Sequence, residues 1–223
     1  MFEEVVSPSA GVEKPLDILA IAAHPDDVEQ TCGGTLIRMA EAGYRTGVLD
    51  LTAGDMGTRG TPEIRLKESK EAACRMLLAW RGNLRLPDAR LENTISVRMS
   101  LAGEIRNLRP RVVILPYWEA RHPDHYRASE IGFEACFLAG LKKLDEQTEP
   151  HRPQKILYSS LYANVTPSFV VDISAQFERR MMSQMALTAL LTDCCVAWRL
   201  PLPLICRVRD GSVMWPDDSE MVC

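Results

Sequence analysis

Two nearly identical tetrapeptides carry three of the four histidines of the chain. His-Pro-Asp-Asp occupies residues 24–27, and His-Pro-Asp-His occupies residues 122–125. Imidazole and carboxylate groups both bind zinc, and a hydrolytic zinc site needs about three protein ligands and one position for water. A single tetrapeptide of this kind is also typical of a simple turn, because proline and aspartate favour turns. Two of them, each after a predicted strand, favour a shared metal site.

The spacing predicts His24, Asp27 and His125 as the metal ligands. His24 and Asp27 are three residues apart on a tight turn, so both side chains can face one ion. His125 would complete the set from a neighbouring loop. Zinc is the expected metal, although iron(II) also suits a site of two histidines and one aspartate.

The other polar residues of the tetrapeptides fit catalytic roles. Asp26 lies beside a ligand and can accept a proton from water, then deliver it to a leaving amine. His122 can face the oxygen that becomes negative in a tetrahedral intermediate. Asp124 can hydrogen-bond one of the imidazoles and fix its tautomer.

Two arginines are candidate substrate contacts. Arg121 precedes the second tetrapeptide and can bind an anionic group, although a solvated surface arginine is equally consistent with its position. Arg59 lies in the Gly- and Thr-rich segment 52–61, which is either a loop that touches substrate or an ordinary surface loop. Glu29 is expected to hydrogen-bond within its turn or to be a solvated acid in the first turn of a helix.

The elements that position these residues alternate between strand and helix. Apolar runs predict strands at 16–22, 47–51, 82–86, 111–115, 156–162 and 169–173, with helical patterns between most of them. This alternation predicts an α/β fold, a Rossmann-like doubly wound, mostly parallel sheet with helices on both faces. In the order 3-2-1-4-5 the first and fourth strands are adjacent, so both tetrapeptides reach the crevice where such sheets bind ligands. Gly33 and Gly34 lack a phosphate-binding fingerprint, and they predict close helix–sheet packing.

Composition and charge limit the class of protein. The net charge of −4 provides no basic field that would hold a nucleic acid, so no nucleic-acid partner is expected. No apolar run is long enough to cross a bilayer, so no membrane partner is expected. The first 14 residues do not resemble a secretory signal, and the expected location is the cytoplasm. The seven cysteines form no CxxC pair, and their thiols are expected to be reduced.

The motifs resemble those of the PIG-L/LmbE family of zinc-dependent N-acetylglucosamine deacetylases. The resemblance rests on AHPDDVE followed by GGTL, and on HPDH in the second half of the chain. The stretches LDLTAGDMGTRGTPEIR, LPDARLENT and PYWEARHPDH are similar to the branch that acts on N-acetylglucosaminyl-malate in bacillithiol biosynthesis. The resemblance implies the same three zinc ligands, Asp26 as general base and acid, and His122 as oxyanion stabiliser. It also implies a homo-oligomer that releases acetate from a small acetylated amino sugar.

The sequence divides into three predicted segments. These are a flexible leader at 1–15, a Rossmann-like deacetylase domain at 16–180 and a divergent tail of the same domain at 181–223. The tail holds four of the seven cysteines, and both a shifted reading frame and genuine divergence are consistent with its composition. If the tail has diverged but still folds, a helix is expected at 186–197. The alternative to an active hydrolase is a crippled homologue that binds metal or sugar without turnover.

Overall fold

The computed structural model describes residues 14–145, 147–161, 163–187, 208–209 and 212–213. Contacts divide the chain into two units, Met1–Leu190 and Leu191–Cys223. All predicted site residues lie in the first unit. Of the helix predicted at 186–197, all but the first two residues lie outside the described part of the chain.

Five parallel strands form the sheet of the first unit. The strands are β1 (Ile18–Ala22), β2 (Thr46–Thr52), β3 (Trp80–Leu86), β4 (Val112–Pro116) and β5 (Lys155–Ser159). They lie in the order β3-β2-β1-β4-β5, and every neighbouring pair is parallel. The predicted strand order is confirmed, and so is the doubly wound α/β fold.

Helices follow the strands, and several of their ends carry residues of the types that commonly cap helices. The described helices are α1 (Asp27–Thr31), α2 (Gly33–Glu41), α3 (Pro62–Arg75), α4 (Ile95–Leu108), α5 (Pro123–Ala139) and α6 (Phe177–Met185). The hydroxyl oxygens of Thr61 and Thr94 accept hydrogen bonds from the first turns of α3 and α4. Gly43 follows α2 with φ of +90°, a conformation that glycine adopts without steric cost. The second unit contains the short antiparallel pair β6 (Val208–Arg209) and β7 (Ser212–Val213).

The central strand β1 is buried on both faces. Leu19 and Ile21 pack in the cluster that includes α4 and α5, whereas Ile18, Ala20 and Ala22 pack in the cluster that includes α1 and α2. Successive side chains of a strand point to opposite faces, so a strand covered on both sides requires a continuous apolar run. The helices therefore sandwich the sheet and leave the ends of its strands to carry the site.

Helix α6 packs against α1, α2 and α3. Arg180 donates through Nε to the carbonyl of Glu29 at 2.8 Å and through Nη2 to the carbonyl of Gln30 at 2.7 Å. These carbonyls lie near the end of α1, where helical carbonyls lack partners within the helix. The predicted domain boundary after residue 180 falls inside α6, which continues to Met185.

Two expectations from the sequence are wrong. The segment 169–173 is not a strand; instead Ile173 packs on Gly34 and the Asp172 carbonyl accepts a hydrogen bond from Arg38. A Cβ on Gly34 would lie 2.4 Å from the Ile173 side chain, so this glycine permits a close approach to that segment rather than to the sheet.

No helix in the described part of the chain has the length and apolar character to cross a membrane.

Candidate active site

The two tetrapeptides meet at the carboxyl ends of β1 and β4. These strands are parallel neighbours, so the loops that leave them emerge at the same edge of the sheet. The first loop leads into α1, which begins at Asp27, and the second leads into α5, for which His122 is the N-cap residue. The convergence predicted from the strand order is therefore present in the structure.

The three predicted metal ligands are in mutual contact. Asp27 uses separate oxygens for the two histidines: Oδ2 lies 3.5 Å from His24 Nδ1, and Oδ1 lies 3.1 Å from His125 Nε2. Oδ2 also accepts a hydrogen bond from the His24 backbone N–H at 2.9 Å. The imidazole rings of His24 and His125 have centroids 5.3 Å apart.

A further aspartate that the sequence analysis missed contacts the same cluster. Asp88 lies in the loop after β3, and its Oδ1 is 3.0 Å from His24 Nε2. Asp124 approaches the same nitrogen at 3.4 Å, which agrees with its predicted contact to an imidazole. The only sequence signal for Asp88 was its place in a Pro-Asp turn after a predicted strand, and that signal does not distinguish a site residue from a turn residue.

Hydrogen bonds from the backbone fix the orientation of Asp124 and His122. Asp124 accepts from the backbone N–H of Ala89 at 2.8 Å and of Leu91 at 3.3 Å. His122 Nδ1 accepts from the Asp124 backbone N–H at 3.2 Å. A neutral imidazole that accepts at Nδ1 carries its proton on Nε2. Burial, together with the charges of His24 and His125, lowers the pKa of His122 and favours this neutral form.

The carboxylates of the cluster stabilise positive charge. Burial alone would lower the pKa of His24, but Asp27 and Asp88 raise it to about 10. Burial would raise the pKa of Asp27, but contacts with His125 and His24 hold it below its usual range. Asp88 resists the same effect of burial because hydrogen bonds from His24 and the Met56 N–H lower its pKa to about 2. A position that favours positive charge in this way meets the electrostatic requirement of a cation site.

The donor atoms fit a divalent cation. One nitrogen each from His24, His122 and His125 lies within 4.8 Å of the others, and the same holds for donor atoms of His24, Asp88 and Asp124. Asp27 belongs to neither of these groups, although its two carboxylate oxygens lie 3.5 Å from His24 Nδ1 and 3.1 Å from His125 Nε2. Imidazole nitrogen and carboxylate oxygen are ligands that zinc and iron(II) accept.

Asp26 lies beside the cluster in an unusual conformation. Its φ of +144° is one that residues with a side chain rarely adopt. Gln30 Nε2 donates to Asp26 Oδ2 at 2.8 Å. Burial, followed by the charges of Asp27 and Glu29, raises the pKa of Asp26 well above its usual range. Strained conformations of this kind cluster at functional sites.

A cleft of about 590 Å³ opens over the cluster. Arg121 lines this cleft, together with Asp26, His122 and the predicted metal ligands. Arg59 is exposed and is not among the lining residues. Its carbonyl instead accepts two hydrogen bonds from the guanidinium of Arg65, at 3.2 and 2.6 Å, and Arg65 does line the cleft.

A buried group of charges supports α1 from behind the cluster. Arg81 donates through Nε to Asp50 at 2.9 Å and through Nη1 to Glu29. The Asp50 and Glu29 side chains are fully buried, so Glu29 is not the solvated acid that was one of its two expectations. The other, a hydrogen bond within the turn, is also wrong, because Glu29 Oε1 accepts from Arg81 and Oε2 has no hydrogen-bond partner among the described residues. Cys32, at the C-terminal end of α1, is a packed thiol whose burial raises its pKa to about 12.

Comparison with known families agrees with this geometry. The family described as PIG-L, GlcNAc-PI de-N-acetylase, matches residues 19–136, which is more than half of the chain. The chain belongs to the PIG-L family. The matched segment begins in β1 and ends in α5, so it includes both tetrapeptides and the Asp88 loop.

Two of three similar proteins are named as deacetylases. The chain is 32% identical over 179 residues to diacetylchitobiose deacetylase of Thermococcus kodakarensis, with 74% of this chain and 66% of that relative covered. It is 44% identical to a conserved protein of Thermus thermophilus whose crystal structure superposes with a TM-score of 0.76, covering 78% and 79% of the two chains. The N,N'-diacetylchitobiose deacetylase of Pyrococcus horikoshii, at 23% identity, shares the fold with a TM-score of 0.74 over 88% and 78%.

Proposed function

We propose that this protein is a zinc-dependent deacetylase that releases acetate from an N-acetylglucosamine conjugate. The observation that carries the proposal is the cluster of His24, Asp27 and His125 in a cleft that Asp26 also lines. Membership of the PIG-L family and the names of its relatives support the same reaction. The net reaction adds water across an amide bond and yields acetate and a free amine.

The proposed ligands are His24, Asp27 and His125. When bound, zinc lowers the pKa of a coordinated water and polarises the acetyl carbonyl oxygen. Asp26 accepts the proton of the attacking water and returns it to the nitrogen of the leaving amine. His122, with its proton on Nε2, donates a hydrogen bond to the carbonyl oxygen as negative charge develops there. Asp124 holds an imidazole of the cluster in position through its contact with His24.

The cleft suits a sugar that carries an acidic group. Its volume of about 590 Å³ lies within the range of small-molecule sites. Two cationic side chains, Arg65 and Arg121, line it beside the acidic cluster. Resemblance to the branch that acts on N-acetylglucosaminyl-malate makes that compound the proposed substrate, and a guanidinium is well suited to bind its carboxylates.

The experiment is acetate release from N-acetylglucosaminyl-malate by protein stripped of metal and then reconstituted. Activity should be absent after treatment with a chelator and should return with about one equivalent of zinc. Iron(II), tested anaerobically in parallel, identifies the more effective metal. Plain N-acetylglucosamine serves as the matched substrate without the acid. Equal turnover with and without metal would contradict the proposal, as would failure of the reconstituted protein to cleave either compound.

A further inference from the structure

Asp26 is the N-cap residue of α1, but its side chain does not cap the helix. An aspartate at this position usually accepts a hydrogen bond from a backbone N–H of the first turn. The Asp26 carboxylate makes no such bond, and its φ of +144° departs from the extended backbone that is usual for N-cap residues. Because the Asp26 carboxylate accepts no hydrogen bond from the backbone of α1, another group must hold its orientation.

The group that holds it is the side chain of Gln30. Its Nε2 donates to Asp26 Oδ2 at 2.8 Å, and both residues line the cleft. Gln30 is itself fixed, since its backbone N–H donates to the Asp26 carbonyl at 3.0 Å and its carbonyl accepts from Arg180 Nη2 at 2.7 Å. The backbone of Gln30 is thus fixed through both its N–H and its carbonyl. Its side-chain amide donates to one oxygen of Asp26.

We propose that Gln30 is a positioning residue, which keeps the Asp26 carboxylate turned toward the cleft and away from the N–H groups of α1. The proposal rests on the proposed function, in which Asp26 transfers the proton. A side-chain amide suits this task because it donates a hydrogen bond at any pH at which the enzyme works, without a charge of its own. Without the Gln30 amide, the Asp26 carboxylate would instead accept a hydrogen bond from a backbone N–H of the first turn of α1.

The test is the substitution Gln30→Met, which keeps the length of the side chain and removes the donor. The kcat for acetate release should fall about 10- to 100-fold, the effect of losing one hydrogen bond to a charged group. KM and bound zinc should stay at the wild-type values, because the substitution changes neither a proposed ligand nor a cation of the cleft. A crystal structure of the variant should show Asp26 accepting from the backbone N–H of Val28 or Glu29.

A matched control exists on the surface of the protein. Gln176 Nε2 donates to Glu41 Oε2 at 2.7 Å, which is the same type of bond outside the cleft. Gln176→Met should leave kcat, KM and zinc content unchanged. Gln30→Glu, a second variant, replaces the donor by a group that repels Asp26, and it should lose at least as much rate as Gln30→Met.

The outcomes separate this proposal from the proposed function. A wild-type kcat in Gln30→Met would overturn it, and so would an Asp26 carboxylate that stays in place in the variant crystal. Loss of zinc together with kcat would also overturn it, because that result indicates a general structural role. If Asp26 turns back to α1 but the wild-type protein releases no acetate, the positioning is supported and the proposed function fails.

Discussion

Replacing Arg81 with methionine should destabilise the protein by about 3–5 kcal/mol, the usual cost of removing one partner from a buried ion pair. The Arg81 side chain is 5% exposed, and it bonds to Asp50 through two nitrogens, at 2.9 and 3.2 Å. It also donates to Glu29 and, at 3.2 Å, to the Ser69 carbonyl. Methionine would fill most of the volume but leave two fully buried carboxylates without a cation.

The magnitude is large relative to the stability of a typical domain, about 5–15 kcal/mol. It corresponds to a decrease in Tm of about 6–20 °C, at about 2–4 °C per kcal/mol for a protein of this size. Urea unfolding followed by far-UV circular dichroism measures the free energy directly. Because Glu29 belongs to α1, the same substitution should also weaken the binding of metal by Asp27.

The control for this prediction is Arg111→Met. Arg111 pairs with Asp17 at 3.5 Å, but its side chain is 60% exposed, and surface pairs contribute about 0–1 kcal/mol. The triple variant Arg81→Met, Glu29→Gln, Asp50→Asn removes the three charges of this group, so it should be more stable than Arg81→Met, which leaves two of them buried without a partner. A loss below about 1 kcal/mol in Arg81→Met would refute the argument that this guanidinium compensates the buried carboxylates.

Three further predictions concern the metal, the substrate and the pH dependence of stability. Asp27→Ala should lose its zinc in elemental analysis whereas His122→Ala should keep it, and the reverse result would exchange their roles. Arg121→Ala should reduce kcat/KM for N-acetylglucosaminyl-malate more than for N-acetylglucosamine. Arg127→Ala, on the exposed side of α5, is the neutral control. Equal losses on both substrates would exclude Arg121 as the group that binds the acid. Burial raises the pKa of the Asp50 carboxyl from 3.8 to about 6, so the folded state binds a proton at Asp50 more tightly than the unfolded state does. The stability that this protonation contributes is therefore lost as the pH rises through about 4–6. Asp50→Asn should remove that decrease from urea unfolding measured across the same interval, and an unchanged pH dependence would contradict the shift.

The centre of the sheet could be predicted from the sequence because β1 and β4 are apolar on both faces. A strand such as β1, covered by helices on two sides, leaves an unmistakable run in the sequence. The segment 169–173 is also rich in β-branched residues and includes an aromatic one, but Ile173 packs on Gly34 of α2 instead of joining a sheet. Composition reports that a residue is apolar, and it does not report which neighbour covers it.

The convergence of the two tetrapeptides could also be predicted from the sequence, but the residues that support them could not. His24 and His125 belong to two similar short motifs that, taken together, predict a shared metal site. The contacts of Asp88, Gln30 and Arg81 are visible only in the structure, because the sequence does not show which neighbour each side chain meets. Such residues are found only when the distances between elements are known.

The most direct test of the account is the Asp26→Asn variant, measured for bound zinc and for acetate release in the same preparation. Asparagine keeps the shape of the side chain but cannot accept the proton of water, so zinc should remain at the wild-type level. The kcat should fall about 10²- to 10⁴-fold, the usual contribution of a general acid–base group. An Asp26→Asn protein that holds its zinc and turns over within a few-fold of wild type would contradict the assignment of Asp26 as the proton-transferring residue.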